Sequence, residues 1–425
     1  MCRATGLWRP SIWPRSCARS GILADVIRLM RPGTLSLPAL PPLSLYVHLP
    51  WCLRKCPYCD FNSHEWRVDG AARELPVDTA RAYLAALRAD LEASLPLIWG
   101  RPVVSIFIGG GTPSLFPPEQ IAELISDLRA RLPLEPGCEI TLEANPGTFE
   151  RDRFKGFREA GVTRLSIGVQ SFDDAKLKAL GRVHSGEQAR AAIAEAAQAF
   201  DTFNIDLMYA LPGQSLDELD LELRTALDFA PPHLSVYHLT IEPNTRFASA
   251  PPENLPDPDL ASEMLDLITA RTGAVGMDRY EVSAYARAGH RCAHNLNYWQ
   301  FGDYLGIGAG AHSKISFPHR VLRQVRWREP AAYMAKAGEG AAVSNENEVA
   351  RSELPFEFML NALRLREGVG LQSYLERTGL PPSSIARAME QGRQRGLLEA
   401  DLARIAATAK GFDFLSDLQS LFLAD

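Results

Sequence analysis

No apolar run in this 425-residue chain is long enough to cross a bilayer as a helix. Basic charge is not in excess: 45 lysines and arginines face 51 acidic residues, for a net charge of −6, so nucleic acid is not the expected partner. Cysteine is scarce and odd in number, seven in all, and three of the seven fall between positions 52 and 59. Such a distribution argues against a disulfide framework and for a thiolate site in a reducing, cytoplasmic compartment. No internal sequence repeat is visible.

The N-terminal stretch carries Arg3, Arg9, Arg15, Arg19, Arg28 and Arg31 against a single acid, Asp25. It reads as a basic extension or as sequence ahead of a true start at Met30, and it lacks the long apolar core of a secretory signal. Residues 1–40 are therefore expected to be a flexible extension, set off by Pro38, Pro41 and Pro42.

Over residues 41–250, apolar runs at 43–49, 103–108, 139–143, 162–169, 203–209 and 234–241 read as strands. Helical periodicity at 77–94, 118–132, 151–160, 173–180, 186–199 and 216–230 alternates with them. Nearly continuous apolar strands between amphipathic helices predict an α/β fold, a partial (β/α)6 barrel whose strand ends face one shared site. An extension follows at 251–349, with a helix near 260–272, a strand near 279–284 and a structured loop at 289–310. Residues 350–425 read as a small helical domain of the winged-helix kind, with helices at 355–365, 371–378, 383–391 and 401–409 and a wing at 411–415.

The chemistry is concentrated in Trp51-Cys52-Leu53-Arg54-Lys55-Cys56-Pro57-Tyr58-Cys59-Asp60-Phe61. Thiolates at spacings of four and three wrap a compact loop around an iron–sulfur cluster, and three ligands for four irons leave one iron open. Arg54 and Lys55 help offset the cluster's negative charge. Zinc completed by a remote histidine is the competing reading, although no second Cys-x-x-Cys is present.

This loop, with an aromatic residue before its last cysteine, resembles the radical S-adenosylmethionine (SAM) superfamily. Its surroundings resemble the oxygen-independent coproporphyrinogen III oxidase family, through segments 46–48, 52–64, 109–114, 143–147, 166–171, 181–184, 206–214 and 294–299. The resemblance implies a [4Fe–4S] cluster on Cys52, Cys56 and Cys59, with SAM on the open iron and an external electron donor. It implies SAM contacts from Tyr46, Tyr58, Gly110, Gly111, Thr112, Glu143, Gln170, Arg182 and Asp206. The glycines are expected to let backbone approach SAM and to offer amides to its carboxylate. For Tyr46 and Tyr58, ordinary aromatic packing stands beside the SAM reading.

Where oxidase-like members carry a further cysteine after the motif, this chain has Phe61. Residues 59–64 and His294-Asn295-Leu296-Asn297-Tyr298-Trp299 instead resemble the family's heme chaperones. Those relatives bind heme and deliver it to apoproteins, including respiratory enzymes at the inner face of the bacterial membrane. The resemblance makes His294 the favoured heme-associated residue, beside Asn295, Tyr298 and Trp299, because imidazole ligates iron well. A structural role for His294 stays open, as do His48, His64, His312 and Cys292 as heme contacts. Coproporphyrinogen decarboxylation, or radical chemistry on another tetrapyrrole, is the alternative function.

Overall fold

The computed structural model describes residues 35–66, 75–147 and 153–424. The first 34 residues of the expected extension, and the first two of the helix expected at 151–160, lie outside the described residues. Residues 35–40 pack onto the body of the protein, where Leu37 is buried and its N–H donates to Pro318 O at 2.9 Å.

Strands β1 (Leu43–Leu49), β2 (Val103–Gly110), β3 (Leu134–Ala144), β4 (Arg164–Gln170), β5 (Phe203–Tyr209) and β6 (His233–His238) pair in that order, all parallel. Helices α1 (Val77–Ile98), α2 (Pro118–Arg131), α3 (Phe154–Ala160), α4 (Gly186–Ala199) and α5 (Leu216–Leu227) connect them. Leu43, Leu45, Val47 and Leu49 of β1 join Tyr83, Leu84, Leu87 and Leu91 of α1 in the main core. Side chains alternate across a strand, so Ser44, Tyr46 and His48 turn to the opposite, inner face. Ser105 and Phe107, Thr141 and Glu143, Ser166 and Gly168, and Asn204 and Asp206 continue that face across the sheet. The strands are thus apolar on one side only, and the expectation of near-continuous apolar strands is corrected: their polar half lines a bore.

The sheet is longer than expected and stays open. Past β1 it continues through β7 (Asp303–Ile307), parallel, then β8 (His312–Phe317), β9 (Arg320–Arg326) and β10 (Val343–Glu348), antiparallel. Past β6 it ends in a hairpin of Ala284–Ala286 and Asp278–Arg279, which divides the strand expected at 279–284. The loop expected at 289–310 holds β7 and a seven-residue helix, α6 (Ala293–Trp299), which packs against β1, β2 and β7. Helix α7 (Pro330–Gly338) packs on α1.

The C-terminal domain has its own core and comprises α8 (Leu354–Ala362), α9 (Leu371–Thr378), α10 (Ala386–Gln394) and two short helices, Ala409–Asp413 and Leu415–Ser420. The helix expected at 401–409 is absent. Arg404–Ile405 instead pairs antiparallel with Val369–Gly370, and a Leu398–Ala407 bridge makes the hairpin there rather than at 411–415. Gly368 permits this pairing: at φ +63° it lies so close that a Cβ would stand 2.1 Å from Ile405 O.

One buried ion pair ties the extension to the barrel. Arg326 of β9 faces Asp90 of α1 at 3.3 Å, and both side chains are essentially inaccessible. Tyr333 of α7 donates to Asp90 at 2.9 Å, while Arg326 also donates to Ser94, Ser313 and Gln324. Removing one member of such a pair strands the other charge, at a cost of about 3–5 kcal/mol. Asp90→Ala is therefore expected to lower the denaturant midpoint sharply. Asp90→Asn, which keeps an acceptor for Tyr333, should lower it less.

Candidate functional site

After β1 the chain turns at Pro50 into Trp51–Cys52, which pairs with His64–Glu65. His64 N donates to Pro50 O and Trp66 N to Cys52 O, both at 2.8 Å, closing the cysteine loop at its base. The end of β2 supports that base from the side. A Cβ on Gly111 would stand 2.6 Å from Trp51 O, and one on Gly110, whose φ is +121°, would stand 2.7 Å from His48 Cε1. Gly110 N donates to Glu143 Oε2 (3.0 Å), Gly111 N to Leu49 O (2.8 Å) and Thr112 N to Trp51 O (2.8 Å). The expected offer of free amides to SAM is thus not what these residues do: their amides already hold strand and loop together.

From the bore, Tyr46 and His48 hold the loop's far side. His48 Nε2 lies 2.9 Å from Asn62 O, an acceptor, so it carries the proton. Nδ1 then accepts from the Tyr46 phenol at 2.9 Å. Burial lowers His48 to about 4, which keeps the ring neutral. Asn62 in turn donates to Ala309 O (2.9 Å) and Arg328 O (2.8 Å), and Lys55 Nζ donates to Phe61 O (3.0 Å). The sequence reading missed this Tyr46–His48–Asn62 relay; its signal was the two-residue spacing of Tyr46 and His48 on one strand face.

Burial raises Cys52 to about 11 and pushes Cys59 upward as well, so the thiols keep their protons until a metal takes their place. No group of three His, Cys, Asp or Glu side chains among the described residues is arranged to hold a single ion. Three cysteine thiols on one short loop can each take a different iron of a cluster. Arg182 Nη1 donates to Cys56 Sγ at 3.6 Å, and Nη2 donates to Asn145 Oδ1 (2.6 Å) and Gly168 O (2.7 Å). Its Nε is buried without a partner. Beside it lies a cavity of about 220 Å³, lined by Cys56, Thr112, Asn145, Arg182 and His184 among others. An unpaired cationic donor next to a cluster loop suits a ligand carboxylate.

Across the bore stand two buried carboxyl groups, Glu143 and Asp206. Burial first, and Asp206 second, raise Glu143 to about 8 against the hydrogen bond from Gly110 N. Burial raises Asp206 too, although it accepts from Asn204 (2.8 Å) and Ser166 (3.0 Å). A cationic ligand, such as a sulfonium or ammonium group, would relieve this pair. Gln170 sits at a bulge with φ +69°. Its Nε2 lies 3.1 Å from where a Gly168 Cβ would be, and Arg182 and Asn145 reach the same spot. Asn145 was not among the expected contacts, yet it bridges Arg182 to Thr112 (2.9 Å). Tyr58 packs on the cluster of Leu180, Met208, Leu211, Leu239 and Phe247.

The proposed heme residues do not converge, because α6 separates them. His294 and Tyr298, four apart, share one face, and their rings stand 5.0 Å apart. Trp299 lies instead under Arg364 of the C-terminal domain, with the guanidinium 4.2 Å from its ring, while Asn295 is half-buried. Tyr298 stacks on Tyr304, which accepts from Arg323, itself paired with Glu357 of α8. His294 is only 3% exposed, and burial lowers it to about 3. Asn297 Nδ2 donates to Ser44 Oγ (2.9 Å), which lies 2.8 Å from Ser105 Oγ. Ser105 Oγ lies 3.1 Å from His294 Nδ1, and His294 Nε2 is buried without a partner. Among the alternatives, His64 is half-exposed beside Asn62 Oδ1 (3.3 Å) and His312 is exposed.

Glu143 keeps its proton in the fold up to about pH 8, whereas the unfolded chain loses it near 4.5. The native state binds more protons in that window, so this group makes stability fall as pH rises through it. In protein free of cluster and SAM, Glu143→Gln should flatten the decline of unfolding free energy between these pH values. Identical pH profiles for the two proteins would contradict the assignment.

Residues 46–226 match the Radical SAM superfamily and residues 349–414 the HemN C-terminal domain. The heme chaperone HemW of Escherichia coli is 46% identical over 91% of this chain and 99% of its own length. The mitochondrial radical S-adenosyl methionine domain-containing protein 1 of Bos taurus is 33% identical over 95% of this chain and 94% of its own. The solved coproporphyrinogen III oxidase (HemN) of E. coli shares the fold, with a TM-score of 0.75 at 24% identity over 94% of this chain and 98% of that one. With such identity along nearly the full length of its bacterial relative, and a three-cysteine loop seated at the mouth of a (β/α)6 half-barrel, the chain belongs to the HemW family of the radical SAM superfamily.

Proposed function

We propose that this protein binds heme and hands it to recipient apoproteins, with a [4Fe–4S] cluster on Cys52, Cys56 and Cys59 and SAM beside it. The observation that carries the reading is the likeness, over the length of both chains, to a protein named a heme chaperone. Phe61 supports it: the side chain is 60% exposed and brings no thiol to the place where oxidase-like loops have one. Bound together, the cluster and SAM supply one-electron reductive cleavage of a carbon–sulfur bond. The chain's own residues position that pair. The cysteines hold the cluster, Arg182 sets a positive charge beside Cys56, and Glu143 and Asp206 face the cofactor's cationic end from the bore.

No helix among the described residues is long and apolar enough to cross a membrane. The reading places the protein in the cytoplasm or at the inner membrane face, where respiratory heme enzymes would be its recipients and an electron donor would serve the cluster. His294 and its neighbours on α6 are the candidate heme contacts of this reading, and His294 Nε2 is buried without a partner.

Two anaerobic assays on reconstituted protein test the function. Mixed with heme and an apo-recipient, the protein should transfer heme; mixed with coproporphyrinogen III, SAM and reductant, it should release no carbon dioxide. SAM-dependent carbon dioxide would establish an oxidase instead. Replacing Cys52, Cys56 or Cys59 by serine should abolish iron and sulfide retention, read by absorbance and metal analysis.

A further inference from the structure

Among the described residues, the cysteines outside the loop stand singly, Cys138 on β3 and Cys292 at the start of α6. These residues therefore offer no second cluster to relay electrons, and the one-electron step draws on a carrier that touches the surface over the cysteine loop. Two large apolar side chains stand out on that surface. Phe61 is 60% exposed, and its carbonyl is held by Lys55 Nζ at 3.0 Å. Val183, 58% exposed, belongs to a turn that abuts the loop, where a Cβ on Gly181 would stand 2.7 Å from Pro57 Cδ.

Cations flank these residues at both ends of the loop. Arg246 precedes Phe247, whose N–H donates to Pro57 O at 3.0 Å, and Asn62 donates to the carbonyl of Arg328 at 2.8 Å. Both arginines are exposed, as is Arg54, and none of the three is ion-paired among the described residues. Of the acids nearby, Glu65 accepts from Lys55 N at 3.0 Å, and Glu329 accepts from Ala331 N (3.1 Å) and Ala332 N (2.7 Å). Asp60 is the exposed acid that remains. In a chain whose net charge is −6, this face is locally cationic. An apolar centre with a charged rim is the make-up of a small, transient interface, and opposite charge steers a partner into it. We propose that this face docks an acidic one-electron carrier protein, an inference that rests on the cluster reading above. The carrier loses one electron, the cluster gains it, and no bond forms or breaks.

The test mixes the reconstituted full chain with a fully reduced flavodoxin of strongly negative net charge and follows the cluster's absorbance by stopped flow. Reduction of wild type should slow steeply as salt rises, because screening weakens the steering. Arg246→Glu with Arg328→Glu should slow it about tenfold or more at low salt and remove the salt dependence. The same variant should bind oxidised flavodoxin more weakly in calorimetry, while the corresponding double lysine variant should behave as wild type. Photoreduced deazariboflavin, small and uncharged, should reduce wild type and the glutamate variant equally fast. If reconstituted wild type holds no iron or sulfide, the cluster reading itself falls. If flavodoxin binds and reduces both proteins alike, the docking face is overturned while the cluster stands. If deazariboflavin also reduces the glutamate variant slowly, the substitutions act on the cluster and the docking assignment is likewise overturned. If the variant is reduced normally but transfers heme slowly, the face docks the recipient instead, which overturns the carrier assignment too.

Discussion

The cysteine loop is positioned by the absence of side chains at three successive positions. Gly109, Gly110 and Gly111 each meet a different part of the site at a distance no Cβ tolerates: Glu143 Oε2 at 2.9 Å, His48 Cε1 at 2.7 Å and Trp51 O at 2.6 Å. One tripeptide thereby sets the depth of the bore carboxylate, the seat of the relay histidine and the height of the loop base. The hydrogen bonds follow from this proximity, since Gly110 N reaches Glu143 only because the backbone can come so near.

The electrostatic layout is built on the same frame. A guanidinium stands against Cys56 on one side, and two carboxyl groups with raised pKa values face the bore on the other. His48 and His184 near them are held neutral by burial. The site sets a guanidinium on one side and, on the other, two carboxyl groups that a cationic ligand would favour in their ionised form.

Much of the barrel was legible because its residues obey one periodicity each. The element at 43–49 was read to the residue, and so was 203–209. The helix at 186–199 was also legible to its ends, helped by a capping box between Ser185 and Gln188. Strands β8 and β9 escaped notice because Lys314 and Arg326 sit in them as buried charges, made tolerable by Asp303 on the neighbouring strand and by Asp90, far away in sequence. At the site, spacing revealed the three cysteines, and the family resemblance named Glu143, Arg182 and Asp206. The roles of Asn62 and Asn145 depend on contacts between distant segments and could not be read locally. The same is true of 294–299, whose helix and its bonds to the feet of β1 and β2 were not legible in the sequence.

That helix is also a shared wall. On one side Asn297 and His294 are bonded to the feet of β1 and β2, and on the other Trp299 lies flat beneath Arg364. Beside it, Arg323 on β9 reaches Glu357 of α8. The C-terminal domain therefore cannot hinge away from the barrel as a free flap: swinging outward would peel a guanidinium from an indole and stretch an ion pair anchored in the sheet. Any rearrangement around the cysteine loop that shifted β1 or β2 would be felt, through the seven residues of α6, by the C-terminal domain.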